Sequence, residues 1–327
     1  MTDKRGFAFS FGWLFAIIVG AVIIFLAIYA SVSFTQTFRQ VSDSETAKQF
    51  GVLLSPVETS IETSSTARVT FPTEARVYND CDLKGTFGTQ KISAATKLGI
   101  GKEWEKPAEV SVFHNKYLFS NPVVQGKTFF VFTKSFEMPF KIADLMYIWS
   151  DEQGLCLLYS PEEVKNDFRD LKLNNKSIQI MDDPSKCVNG SRRVCFNTQS
   201  SECDIVVNSP VSGSATKGSV IYNKDKKTSY YEGYALMYAA IFSNYSGYEC
   251  QVKRLMRRAA ELGFIYKEKS DKIASESSGC SSGLQADLMS YSRSALMVNK
   301  SADVYDEMSV LSDRLGRSNE QLLCKIF

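Results

Sequence analysis

The chain has 327 residues, with 38 Lys and Arg against 36 Asp and Glu, a single His, and a formal net charge of +2. Its basic residues are dispersed, which excludes the electrostatic footprint of a nucleic-acid binder. With one His and no Cys-x-x-Cys pair, the sequence gives no reason to expect a metal or a cofactor.

The run from Gly6 to Phe38, bounded by Arg5 and Arg39, carries no charge. A membrane helix needs roughly 20 apolar residues, and Phe7 to Tyr29 supplies them. A secretory signal peptide has a shorter apolar region of about 7–15 residues and a small-x-small cleavage site, for which only Ser31-Val32-Ser33 is on offer. A buried helix is usually polar on one face, and this one is apolar all round. The segment therefore reads as an uncleaved signal-anchor: residues 1–6 form a cytoplasmic stub and residues 7–30 a single transmembrane helix in contact with membrane lipid. Lys4 and Arg5 keep the N-terminus in the cytoplasm and place the C-terminus outside the cell membrane. Trp13 and Tyr29 suit the headgroup zones. Gly12, Ala16 and Gly20 fall at i, i+4 and i+8, a bare stripe through which the helix could self-associate.

Residues 31–66 continue as a helical stalk, with Phe34, Phe38 and Val41 at helical spacing, and end in a connector rich in Ser and Thr (ETSIETSST) after Ser55-Pro56. From 67 to 210 short β-rich runs alternate with turn residues, predicting a mostly antiparallel sheet or sandwich: Arg68–Phe71, Ala75–Tyr78, Val110–Phe113, Thr128–Phe136, Leu145–Trp149, Leu155–Tyr159, Ser177–Met181, Val194–Phe196 and Ile205–Val207. The longest, Thr128–Phe136, is apolar on both sides over most of its length and is expected to be central. Ser160-Pro161-Glu162-Glu163 predicts a helix start with a capping box. Residues 211–327 are read as a hairpin, Ser219–Tyr222 with Thr228–Tyr231, followed by a mostly helical region broken near 277–283. There Val252, Leu255, Ala259 and Phe264, then Leu284, Leu288, Tyr291, Ala295 and Val298, predict an antiparallel helical hairpin.

All eight cysteines, Cys81, Cys156, Cys187, Cys195, Cys203, Cys250, Cys280 and Cys324, lie beyond the anchor. An even count confined to the exported part predicts disulfide bonds in an oxidising compartment, with connectivity left open. Asn175, Asn189, Asn244 and Asn299 each begin an Asn-x-Ser triplet and are candidates for glycosylation.

Catalytic constellations are absent from the sequence. His114 sits among strand-like residues without a nucleophile motif. Gly126-Lys127-Thr128 lacks the glycine five positions earlier that a phosphate loop needs, Asn121 standing there. Asp182-Asp183 and Glu162-Glu163 occupy turn and helix-start positions, although distant carboxylates could still meet as in glycosidases. Lys253, Arg254, Arg257 and Arg258 are read as the solvated face of a helix.

Two resemblances attach to these residues. Lys4-Arg5-Gly6 before Phe7 and the apolar helix resembles the start of type IV pilin-like precursors, which implies cleavage between Gly6 and Phe7 and a filament or assembly role. Phe11 stands where that family carries Glu. GYECQVKRLMRRAAELGFIYKEK, FSFGWLFAIIVG and FEMPFKIADLMYIW resemble uncharacterised archaeal membrane-anchored surface proteins, which implies a shared architecture and no activity. The expectation is thus an α+β protein, comprising an N-terminal transmembrane helix with a stalk, a β-rich ectodomain and a C-terminal helical hairpin. It is expected to serve as an extracellular interaction or structural glycoprotein with a protein or glycan partner, and not as an enzyme. An extracellular hydrolase is the other class kept open.

Overall fold

The computed structural model describes residues 12–13, 15–31, 33, 66–97, 104, 110–170, 177–198, 200–210, 216–276 and 283–327. Residues 15–31 are helical, and their large apolar side chains are exposed. Among the described residues no helix is long and apolar enough to cross a membrane. Leu14 and Val32, on either side of this segment, lie outside the described residues, as do the stub and nearly all of the stalk.

The remainder is an α+β structure with two six-stranded mixed sheets. The first has the order β3-β2-β1-β5-β6-β4, from β1 (Thr66–Asp82), β2 (Thr89–Thr96), β3 (Ser111–Phe113), β4 (Leu118–Phe119), β5 (Val123–Glu137) and β6 (Lys141–Ser150). β5 pairs antiparallel with both β1 and β6, as its two apolar sides require. Phe130, Phe132 and Phe136 face one core, and Phe129 and Val131 face another with Val77, Ile92 and Ile148. The two predicted runs before Tyr78 are one long strand whose register against β5 shifts between Thr70 and Ala75.

The second sheet has the order β12-β11-β10-β9-β7-β8, from β7 (Leu155–Leu158), β8 (Ile178–Met181), β9 (Arg192–Phe196), β10 (Ile205–Asn208), β11 (Lys217–Tyr222) and β12 (Lys227–Glu232). Here the expectation of antiparallel pairing is corrected, because β8, β7, β9 and β10 pair parallel to one another. Parallel neighbours need crossovers. Helix α1 (Glu162–Asp170) supplies the first, between β7 and β8. The predicted capping box does not form there, since Ser160 Oγ is buried without a hydrogen-bond partner.

A parallel sheet is normally covered on both faces. One face of this sheet, carrying Leu155, Leu157, Val194, Phe196, Ile205 and Val207, packs into the main core. The other bears a small cluster of Cys156, Leu158, Cys187, Cys195, Cys203 and Val206. Two disulfides, Cys156–Cys187 and Cys195–Cys203, belong to that cluster. They hold down the crossover segments where a second helical layer would otherwise lie.

Between the sheets sits α2 (Gly233–Phe242), buried from Ala235 to Phe242. A helix that is apolar all round must be buried, and this one packs against β5, β6, β11 and β12. Tyr147 of β6 donates to the Ala235 carbonyl at 2.8 Å, and Tyr222 of β11 donates to that of Ala240 at 3.0 Å. The chain then forms α3 (Tyr245–Glu276), α4 (Gln285–Met297), α5 (Ser301–Asp303), a π-helical turn (Val304–Met308) and α6 (Ser309–Glu320). α3 and α4 pack together, with Gly263 against Tyr291 and Ser292. One hydrophobic core runs from Tyr117, just before β4, to Ile326 near the C-terminus.

α3 is fastened to the first sheet by a polar seam. Cys250 is disulfide-bonded to Cys81 at the end of β1. Arg254, fully buried, donates from Nε to Phe87 O (3.1 Å), from Nη1 to Lys116 O (3.0 Å) and Gln251 Oε1 (2.7 Å), and from Nη2 to His114 O (3.0 Å). Arg257 reaches the carbonyls of Leu83 and Gly85, and Arg258 that of Ile142. The expectation of a solvated basic face is therefore corrected: Arg254 and Arg257 satisfy loop carbonyls, and Arg258 a carbonyl near the start of β6. Gly88, at φ +62°, leaves room for the Arg254 stem, since a Cβ there would lie 2.5 Å from the Asp82 carbonyl and 3.0 Å from Arg254 Cγ.

Candidate functional site

A cleft of about 790 Å³ lies at one end of the two sheets. Its first wall is the entry to β5, Asn121 to Val124, with Ile148 and Trp149 at the end of β6. The second wall comes from Leu155, from Gly190, Ser191 and Arg192 leading into β9, and from Asp204. Lys224 and Asp225, in the turn between β11 and β12, form part of the rim, and Phe242 and Asn244 close the end of α2.

Arg192 ties these parts together. Its Nη1 donates to Asn121 Oδ1 at 3.2 Å and to the Ile241 carbonyl at 3.1 Å, and its Nη2 donates to the Ser243 carbonyl at 3.0 Å. A guanidinium at a helix C-terminus satisfies orphan carbonyls and complements the helix dipole. Burial lowers the Arg192 pKa, yet arginine stays charged because its ordinary value is so high. Trp149 stacks on Phe130 with ring centroids 5.5 Å apart and lies 5.1 Å from Phe242. Its indole nitrogen is buried and makes no hydrogen bond.

A smaller cleft of about 170 Å³ adjoins the first, sharing Pro122 and Asn244. Asn79, Ser120, Cys81, Cys250 and Gln251 are among the residues that line it. Its amides are mutually engaged: Asn79 Nδ2 donates to Ser120 Oγ at 2.8 Å, Gln90 to Asn79, and Gln251 to Gln90 and to the Leu118 carbonyl. Such a closed network fixes structure and leaves few groups for a ligand. The larger cleft differs, because Lys224 and Asp225 are exposed on its rim.

The residues weighed for chemistry do not converge. His114 is exposed and lines neither cleft, and its backbone carbonyl serves Arg254. Asp183 Oδ1 accepts from Ser185 N at 3.0 Å and from Ser185 Oγ at 2.8 Å, and these bonds hold its carboxyl below the ordinary range. Glu162 pairs with Arg169 at 2.8 Å on its own helix. Lys127 and Thr128 lie within β5. Among the described residues no group of three or more His, Cys, Asp or Glu could hold a metal ion.

Cys81–Cys250, Cys156–Cys187 and Cys195–Cys203 are bonded, and Cys324 is bonded as well. Cys280 lies outside the described residues, as do Asn175 and the Gly6–Phe7 junction. Asn189 and Asn299 are exposed, and Asn244 is half-buried. Gly12 and Gly20 have nothing within 4 Å of where a Cβ would stand, so the small-residue stripe is bare in this single chain.

Sequence reasoning missed the cleft residues Asn121, Trp149, Arg192 and Asn244 as a group. They belong to four segments far apart in the chain, and no spacing rule joins them. No family model matches the chain, and neither a curated protein nor a solved structure shows significant similarity to it.

Proposed function

We propose that this is a single-pass membrane-anchored protein whose extracellular domain serves binding or structure at the cell surface, with the larger cleft as its binding face. The observation that carries the reading is the cysteine distribution. All eight lie beyond the apolar segment, and every cysteine among the described residues is disulfide-bonded. Such a set persists in an oxidising compartment, and the charge-free run from Gly6 to Phe38 accounts for both export and retention. The exposed apolar side chains of residues 15–31, with Phe25 at 69 %, agree with a helix whose solvent is lipid.

The position of the cleft supports the binding role. The chain enters the first sheet at Thr66, opposite Phe132, whereas the cleft lies at the Val123 end of the same strand, opposite Tyr78. At strand rise these points are about 30 Å apart along β5, so the cleft lies at the other end of the strand from the chain's entry into the sheet.

Alkaline carbonate extraction of membranes tests the anchor. The full chain stays in the pellet, and a chain lacking residues 7–30 behind a cleavable signal peptide is recovered in the medium. Release of the full chain by carbonate would remove the basis of the proposal.

A further inference from the structure

We propose that Asn189 carries a covalently attached glycan, which stands at the mouth of the larger cleft. The inference rests on the reading of an exported domain and goes on to assign the modified residue.

The three described Asn-x-Ser triplets present their amides differently. Asn299 is exposed, but its Nδ2 donates to the Met297 carbonyl at 3.1 Å, and its backbone N–H is held by Asp303 at 2.8 Å. Asn244 is half-buried, lines both clefts, and accepts from the Gly247 N–H at 3.0 Å, fixing the first turn of α3. A substituent on Asn244 would have to thread through a cleft.

Asn189 has neither constraint. It is exposed between two exposed neighbours, Val188 and Gly190, and among the described residues its side chain makes no hydrogen bond. The turn that presents it is firm: Ser191 N and Oγ both donate to the Val188 carbonyl, at 3.1 and 2.7 Å, and Gly190 takes φ +85°. The Cys156–Cys187 disulfide anchors the same segment two residues upstream. Gly190 and Ser191 line the larger cleft, so a group on Asn189 Nδ2 stands at its edge.

The reaction requires a donor of the lipid-phosphate-linked oligosaccharide class and a membrane transferase. Asn189 Nδ2 forms a bond to the sugar C1, the bond from C1 to the phosphate oxygen breaks, the lipid phosphate departs, and Nδ2 gives up one proton to the transferase.

Glycopeptide mapping of the full chain purified from its own cell membranes tests this. The peptide containing Asn189 carries the sugar mass, Asn189→Gln and Ser191→Ala abolish it, and Ser191→Thr, which keeps the triplet, retains it. Asn244→Gln leaves the glycan content unchanged. An unmodified Asn189 with sugar on Asn175, Asn244 or Asn299 overturns the assignment and leaves export standing. Absence of sugar everywhere also overturns it, and labelling with a membrane-impermeant reagent then reports separately whether the domain is outside the cell.

Discussion

Arg254 lies over the ring of Tyr117, its guanidinium carbon 4.8 Å from the centroid, and backbone carbonyls with Gln251 take up its donors. Desolvation pulls its pKa down to about 10, so it is charged at neutral pH. A buried charge with no carboxylate partner among the described residues is costly to disturb, because the oxygens around it lose their donors together. Arg254→Met is expected to lower stability by about 3–5 kcal/mol. Urea unfolding with the disulfides intact measures this, and a loss under about 1 kcal/mol would contradict the latch.

The disulfides differ in what they constrain. Cys81–Cys250 closes a sequence separation of 169, against 8 for Cys195–Cys203. Loop-closure entropy predicts that replacing the first pair by alanines costs about 5 kcal/mol and the second about 2–3 kcal/mol. Equal losses would show that native strain or unfolded-state structure outweighs loop length. With three pairs assigned and Cys324 also bonded, Cys280 is its expected partner. Non-reducing peptide mapping should recover a Cys280–Cys324 linked peptide, and free Cys280 in the folded protein would refute the assignment.

Glu249 gives a pH signature. Burial raises its pKa, and the bonds it accepts from Ser301 N (2.8 Å) and Oγ (2.6 Å) offset part of that rise. The native state then holds this proton more tightly than the unfolded chain does. Its contribution is fully present below the unfolded value and is lost as pH climbs through the native one. Glu249→Gln removes this dependence, so as pH rises from the unfolded glutamate value of about 4.3 the variant should lose less stability than the parent. Parallel stability curves for the two proteins would contradict the assignment.

Gly263 sets the approach of α3 to α4. A Cβ there would run into Ser292 Oγ and come within 3.2 Å of Tyr291 Cδ1. Gly263→Ala should improve helix propensity yet destabilise the protein by about 1–3 kcal/mol through overpacking, as thermal or urea unfolding would read. A stabilised variant would mean that the helices part easily.

Much of the secondary structure was legible because it rests on local pattern. β5 declared itself by apolar residues on both sides, and the helical C-terminal region by its three-and-four spacing. The parallel sheet was not legible: β7, β8 and β10 have four residues each, too few to show whether a neighbour runs parallel. β2, with Gln90 and Ser93 among its buried residues, lacked the apolar alternation of a strand. The arginines of α3 looked solvated because their partners are backbone carbonyls more than a hundred residues away, which periodicity does not reveal. The cysteine count announced disulfides but not their pairing, and the cleft arose only when distant segments met.

The most direct test of the central claim is labelling of intact cells with a membrane-impermeant amine reagent, followed by peptide mapping. Lys84, Lys224 and Lys226 are exposed on the folded domain, whereas Lys4 precedes the apolar run. The account predicts that the three domain lysines are modified on intact cells and that Lys4 is modified only after permeabilisation. Domain lysines that react only after permeabilisation would place the folded domain inside the cell and contradict the account.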